Sequence, residues 1–175
     1  MQGLIIGNIS NIYNVKIDDN IYECNARGIF KKDKISPVVG DIVEVEVLDK
    51  NNKTGIINEI FPRKNYIKRP KLSNISQIIL VLSSKMPKPD FLMLDKQLAY
   101  AEYLNIDVAI IVNKIDLDNK EVANVVKNIY EKIGYKIIYT NANTGEGIGE
   151  LKKVLKNKIS AFSGNSGVRK IYTNK

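Results

Sequence analysis

Two short polar loops, each set directly behind an apolar run, constrain this chain more than any other feature. Asn113-Lys114-Ile115-Asp116 follows the run 108–112, and Gly164-Asn165-Ser166-Gly167-Val168-Arg169-Lys170-Ile171 follows the run 159–162. The near-continuous apolar stretch 75–82 reads as a strand of a parallel sheet covered on both faces. Leu92, Leu94, Leu98, Ala101 and Leu104 recur at helical spacing, helices are expected over 120–133 and 148–155, and a strand over 136–139. Strands alternating with helices predict an open α/β sheet from about residue 70, whose ligand loops sit at the carboxyl ends of its strands.

The first 69 residues follow another rule. Apolar residues alternate or cluster over 4–6, 12–17, 21–24, 42–47 and 55–60, with turn residues Asp18-Asp19-Asn20 and Asp49-Lys50-Asn51-Asn52 between them. Five short strands in that length predict a small closed barrel of the OB type. Pro62 and Pro70 bracket a basic join, so the expected domains are 1–69 and 70–175. Nothing in the sequence approaches the ~20 apolar residues that span a bilayer, so no membrane partner is expected. One cysteine and no histidine exclude an internal disulfide, point to a reducing cytoplasm, and leave no structural zinc set within the chain. The net charge of +8 favours a polyanionic partner, nucleic acid first, although the Lys, Asn and Ile bias is also what an AT-rich genome produces.

The chemistry lies in the loops. A carboxylate at Asp116 accepts two hydrogen bonds from guanine N1–H and its exocyclic amine, a donor pair adenine lacks. The Lys114 stem would lie along the base, and Asn113 would tie this loop to a neighbour. Thr140-Asn141-Ala142-Asn143-Thr144-Gly145-Glu146-Gly147 also follows a strand, and the Ala142 N–H is expected to meet guanine O6. An isolated tetrapeptide or polar loop would be read as a turn capping a helix; two in register are more specific.

A phosphate loop of pattern G-x-x-x-x-G-K-[ST] cradles phosphates with backbone N–H groups, and its hydroxyl binds Mg²⁺. This chain has Gly164, Gly167 and Lys170, but Arg169 stands where the second glycine belongs and Ile171 where the hydroxyl belongs. The base-reading loop precedes the phosphate loop, the reverse of the usual order, which predicts a circularly permuted GTPase domain.

Cys24-Asn25-Ala26-Arg27-Gly28, Pro37-Val38-Val39-Gly40-Asp41, Arg63-Lys64-Asn65, Arg69-Pro70, Leu94-Asp95-Lys96, Asn113-Lys114-Ile115-Asp116, Thr144-Gly145-Glu146-Gly147 and Phe162-Ser163-Gly164-Asn165-Ser166-Gly167-Val168 together resemble the RsgA-type GTPases. The resemblance implies an OB barrel, a permuted P-loop GTPase domain and a C-terminal zinc domain lying outside this chain. It also implies GTP/GDP with Mg²⁺ as ligands and GTP hydrolysis stimulated by the small ribosomal subunit during its late maturation. After Val168 the likeness stops. The family would continue Gly-Lys-Ser-Thr-Leu-Ile-Asn, encoded by GGA AAA TCT ACA CTA ATA AAT behind GTA. One added A gives AGG AAA ATC TAC ACT AAT AAA, which encodes residues 169–175 as they stand. The chain is therefore expected to be a frameshifted, truncated form, natural or a sequencing error, with no catalytic base in view and no meaningful turnover.

Arg27, Lys31, Lys32, Arg63, Lys64, Lys68, Arg69 and Lys71 are the expected contacts to rRNA of the small subunit, against the blander possibility of a solvated basic surface. A monomer is expected. The rival function is a non-catalytic RNA- or ribosome-binding fragment with a degenerate nucleotide site.

Overall fold

The structure is a computed structural model and describes residues 1–28, 30, 35–117 and 121–164. It divides into two compact units, Met1–Ile75 and Ser76–Lys175.

In the first unit β1 (Gln2–Ile9), β2 (Ile12–Ile17), β3 (Asn20–Ala26), β4 (Ile42–Asp49) and β5 (Thr54–Ile60) close into a barrel in the order β1-β2-β3-β5-β4. All neighbours are antiparallel except β3 and β5. Alternation does the sorting: Tyr13, Val15 and Ile17 on β2, Tyr22 and Cys24 on β3, and Val43 and Val45 on β4 point into one core with Ile5 and Ile57. Closure removes the open edges that a five-strand sheet would otherwise present. Burial pushes the Cys24 thiol up to about 11.

The basic segment after Pro62 is not a linker, and the unit ends at Ile75 rather than at residue 69. β6 (Tyr66–Lys68) and β7 (Lys71–Ser73) form a hairpin fastened to the barrel through Asp41. That carboxylate, 0% exposed, accepts from Arg63 Nε at 2.7 Å, Arg63 Nη2 at 2.8 Å, Ser73 Oγ at 2.5 Å and the Val38 N–H at 2.8 Å. Asn74 adds a bond to Gly40 O at 2.9 Å and accepts from the Lys64 N–H at 2.8 Å. Gly40 has φ +96, and a Cβ there would sit 1.9 Å from Ser73 O, so only glycine lets the hairpin approach.

The second unit is a parallel sheet in the order β10-β9-β8-β11, from β8 (Gln77–Ser83), β9 (Asp107–Asn113), β10 (Lys136–Thr140) and β11 (Ser160–Gly164). Every residue of β8 is buried, as its unbroken apolar run requires. The connections are α1 (Phe91–Tyr103), α2 (Glu121–Val126), which continues as a π-helical turn Lys127–Glu131, and α3 (Ile148–Leu155). Asp90 caps α1 by accepting from the Met93 N–H at 2.9 Å. Leu94, Leu98 and Ala101 turn inward, but Leu92, counted with the apolar face from sequence, is 66% exposed. The chain moves outward from β8 through β9 to β10 and then returns to place β11 on the other side of β8. A crevice at the carboxyl ends of β8 and β11, where the order reverses, is where such sheets bind ligands.

Candidate guanine-nucleotide site

β9 ends at Asn113, which is 0% exposed and stitches three strand ends together. Its carbonyl accepts from the Ser84 N–H at 2.9 Å, and its Oδ1 accepts from Thr140 Oγ1 at 3.1 Å and the Ala142 N–H at 3.2 Å. The next residue turns the chain sharply: Lys114 has φ +63, and its carbonyl accepts from the Ser84 hydroxyl and from the Leu117 N–H at 2.9 Å. The Lys114 ammonium donates to the Met86 carbonyl. A single 3-10 turn, Ile115–Leu117, then presents Asp116 to solvent. Among the described residues, none hydrogen-bonds or ion-pairs with its carboxylate.

The neighbouring loop is braced internally. Asn141 and Glu146 bridge across it, the Asn141 Oδ1 accepts from the Asn143 N–H at 2.9 Å, and Gly147 closes it with φ +76. The Ala142 N–H, expected to meet guanine O6, donates here to Asn113 Oδ1 at 3.2 Å. Asn113 and Gly164 end strands on either side of β8, opposite Ser83 and Val81 respectively, which places them roughly 12 Å apart, the scale of a nucleoside. Of the expected phosphate loop, Gly164 is described; Asn165, Ser166, Gly167, Val168, Arg169, Lys170 and Ile171 lie outside the described residues.

Sequence reasoning missed Ser83, Ser84 and Met86. The signal was the polar pair Ser83-Ser84 directly behind the apolar run of β8, at the same strand end as Asn113. At the opposite, amino end of the sheet a cavity of about 650 Å³ is lined by residues including Gln77, Glu102, Asp107, Tyr135, Lys136 and Lys158. Its carboxylates are already engaged, Glu102 by Tyr135 and Asp107 by Lys158, so it offers no comparable acceptor.

The donor set fits a guanine base but not its metal. Asp116 supplies a free carboxylate, whereas Ile171 has no oxygen for Mg²⁺, and Arg169 carries a side chain where close backbone approach needs glycine. Among the described residues no three His, Cys, Asp or Glu side chains are grouped to hold a zinc ion, and Cys24 is buried in the barrel core.

The expected RNA contacts divide. Arg63 is committed to Asp41, with Ser36 O at 2.9 Å and the Tyr66 ring 4.9 Å from its guanidinium carbon, and the Asp41 hydrogen bond holds it above its ordinary pKa. It is a fastener of the hairpin, not a free cation. Arg27 makes an exposed pair with Glu46 at 3.3 Å, of a kind worth ~0–1 kcal/mol and easily exchanged. Lys64, Lys68, Arg69 and Lys71 are exposed on and beside the β6–β7 hairpin, with Lys68 and Lys71 directly opposite. Lys31 and Lys32 lie outside the described residues.

A closed five-strand barrel, followed by a parallel sheet whose base-reading strand end comes before the strand leading into the phosphate loop, defines a circularly permuted GTPase. Family profiles described as RsgA N-terminal domain and RsgA GTPase match residues 2–57 and 60–171. The chain belongs to the RsgA GTPase family. The small ribosomal subunit biogenesis GTPase RsgA of Alkaliphilus metalliredigens is 44% identical over 169 residues, covering 97% of this chain and 58% of that relative. The same-named protein of Caldanaerobacter subterraneus subsp. tengcongensis is 45% identical over 170 residues, with 97% and 57% covered. The crystal structure of YjeQ from Thermotoga maritima matches with TM-score 0.82 and 35% identity over 95% of this chain and 61% of that one. YloQ, a circularly permuted GTPase, matches with TM-score 0.78 and 31% identity over 95% and 60%. The chain thus spans less than two thirds of the length of these relatives.

Proposed function

We propose that residues 76–175 form the base-binding half of a small-subunit biogenesis GTPase, and that residues 1–75 carry its RNA contacts. The free Asp116 carboxylate carries the first part: it is held by a buried network at the strand end where such sheets bind ligands, and no described side chain competes for it. Guanine N1–H and the exocyclic amine satisfy it; adenine leaves it unpaired. Since Arg169 and Ile171 remove the phosphate loop's glycine and metal ligand, base contacts dominate, affinity is weak, and turnover is absent because phosphoryl transfer depends on those groups. Calorimetric titration tests this. GDP is expected to bind in preference to ADP, and Asp116→Ala to weaken GDP about 10–100-fold, the value of hydrogen bonds to a charged acceptor. Equal binding of GDP and ADP, or none, would favour a purely RNA-binding chain; phosphate release from GTP with small subunits present would refute the loss of turnover.

For the RNA contacts, the support is the hairpin tip. Like charges directly opposite destabilise a strand pair, so Lys68 and Lys71 gain when a phosphate backbone lies between them. The outward face of β3, β4 and β5 instead carries Glu23, Glu44, Glu46 and Glu59, with Glu44 and Glu59 paired across strands, so that face repels RNA. Replacing Lys68, Arg69 and Lys71 together with alanine is expected to reduce the slope of log K against log salt by roughly 2–3 for rRNA or small subunits. An unchanged slope would place the contacts elsewhere.

A further inference from the structure

We infer that Ser84 is a positioning residue for base recognition, acting through the left-handed turn at Lys114; this deepens the guanine site proposed above and rests on it. Ser84 is the first residue beyond β8 and is 3% exposed. Its N–H donates to Asn113 O at 2.9 Å and its hydroxyl to Lys114 O, so one serine grips two consecutive peptide units of the base-reading loop from the neighbouring strand. The second grip falls on the strained position. Lysine occupies φ +63 only where its surroundings hold it there.

Two more contacts show that the strand end is built around this turn. Ser83 Oγ donates to Met86 O at 2.7 Å, which shapes the loop whose carbonyl receives the Lys114 ammonium. Lys114 O also accepts from the Leu117 N–H at 2.9 Å, closing the turn that bears Asp116. Remove the Ser84 hydroxyl and the Lys114 carbonyl loses its hold from the neighbouring strand. It relaxes away from the left-handed region, and Asp116, two residues on, loses its aim. Nothing in Ser84 touches the base; its effect passes through the direction of the Asp116 carboxylate.

That route gives a signature a purely structural serine lacks. IDP has guanine's N1–H but not its exocyclic amine, so the GDP-to-IDP affinity ratio reports how well Asp116 reaches both donors at once. GDP and IDP would be titrated calorimetrically into the whole chain carrying wild-type serine, Ser84→Ala, Ser84→Cys or Ser84→Thr. Wild type is expected to prefer GDP. The alanine variant is expected to shrink that preference about 3–10-fold, the value of one hydrogen bond. The cysteine variant, of similar volume but a weak donor, shrinks it likewise and decides the matter if the alanine variant does not fold. Threonine keeps the hydroxyl and the ratio. Retention of the wild-type ratio in the alanine and cysteine variants, or loss of GDP and IDP affinity by one common factor, overturns the positioning role. A wild-type chain with no preference for GDP over IDP overturns the guanine site itself, an outcome visible before any variant is measured.

Discussion

Asp41→Ala is expected to destabilise the barrel unit by about 3–5 kcal/mol, the cost of breaking one side of a buried ion pair. Asp41 receives four donors, and three of them, two from Arg63 and one from Ser73, come from the segment that brings the hairpin back onto the barrel. Without the carboxylate, the Arg63 guanidinium stays largely buried with Ser36 O as its remaining described acceptor, and the Val38 N–H loses its partner. Arg63→Ala should cost about as much, because it strands a fully buried carboxylate. Arg63→Lys keeps the charge but not the two-pronged geometry and should fall between.

The chain carries its own reporter for this measurement. Cys24 is its single cysteine, lies in the barrel core, and holds its proton to about pH 11. In the folded barrel the thiol is fully buried and far less ionised at neutral pH than the few per cent of an unfolded cysteine, so alkylation against urea reads opening of this unit alone. The urea midpoint for Cys24 labelling should drop for Asp41→Ala and Arg63→Ala, and the double variant should cost less than the sum of the two. Unchanged midpoints would mean that the hairpin clasp is dispensable.

That clasp also marks where sequence stopped being legible. The barrel strands and the sheet strands announce themselves through period-two alternation and unbroken apolar runs, because burial on one face or both selects those patterns. The hairpin does not: its strands are three residues each, and its tip Lys68-Arg69-Pro70-Lys71 carries no apolar period, so the segment resembles a linker. Arg63 resembles a free cation for a related reason, since its partner is 22 residues away and only the closed barrel brings them together. Leu92 misleads differently. α1 is apolar nearly all round, with Leu92, Met93, Tyr100 and Tyr103 exposed as well as Leu94 and Leu98 buried, and period alone cannot choose the inward face. At the base site, residue types pointed to Asn113, Lys114 and Asp116, but one of the two donors to Asn113 Oδ1 is a backbone N–H, which no side-chain pattern reveals.

Gly147→Ala should be the most damaging small change in the sheet unit. Gly147 sits at φ +76 as the N-terminal cap of α3, and a Cβ there would stand 2.0 Å from Tyr139 O and 3.0 Å from Thr140 Cγ2. The left-handed conformation alone costs alanine about 1–2 kcal/mol. A collision with backbone cannot be relieved by a rotamer and adds about 1–3 kcal/mol, for a total near 3 kcal/mol or more. The displaced atoms belong to β10, whose Thr140 pairs with Asn113 across the ladder and donates its hydroxyl to Asn113 Oδ1. The strain therefore reaches the base-reading loop. Gly145 provides the control, because it too is left-handed, at φ +84, but a Cβ there meets nothing within 4 Å. Gly145→Ala should cost only the conformational term and leave GDP affinity within a few-fold. Hydrogen exchange of the β10 amides, followed beside Cys24 labelling, should show the Gly147 variant opening the sheet unit while the barrel keeps its protection. Equal effects of the two glycine variants would mean that the close approach to Tyr139, and with it the link from α3 to the base loop, does not constrain this unit.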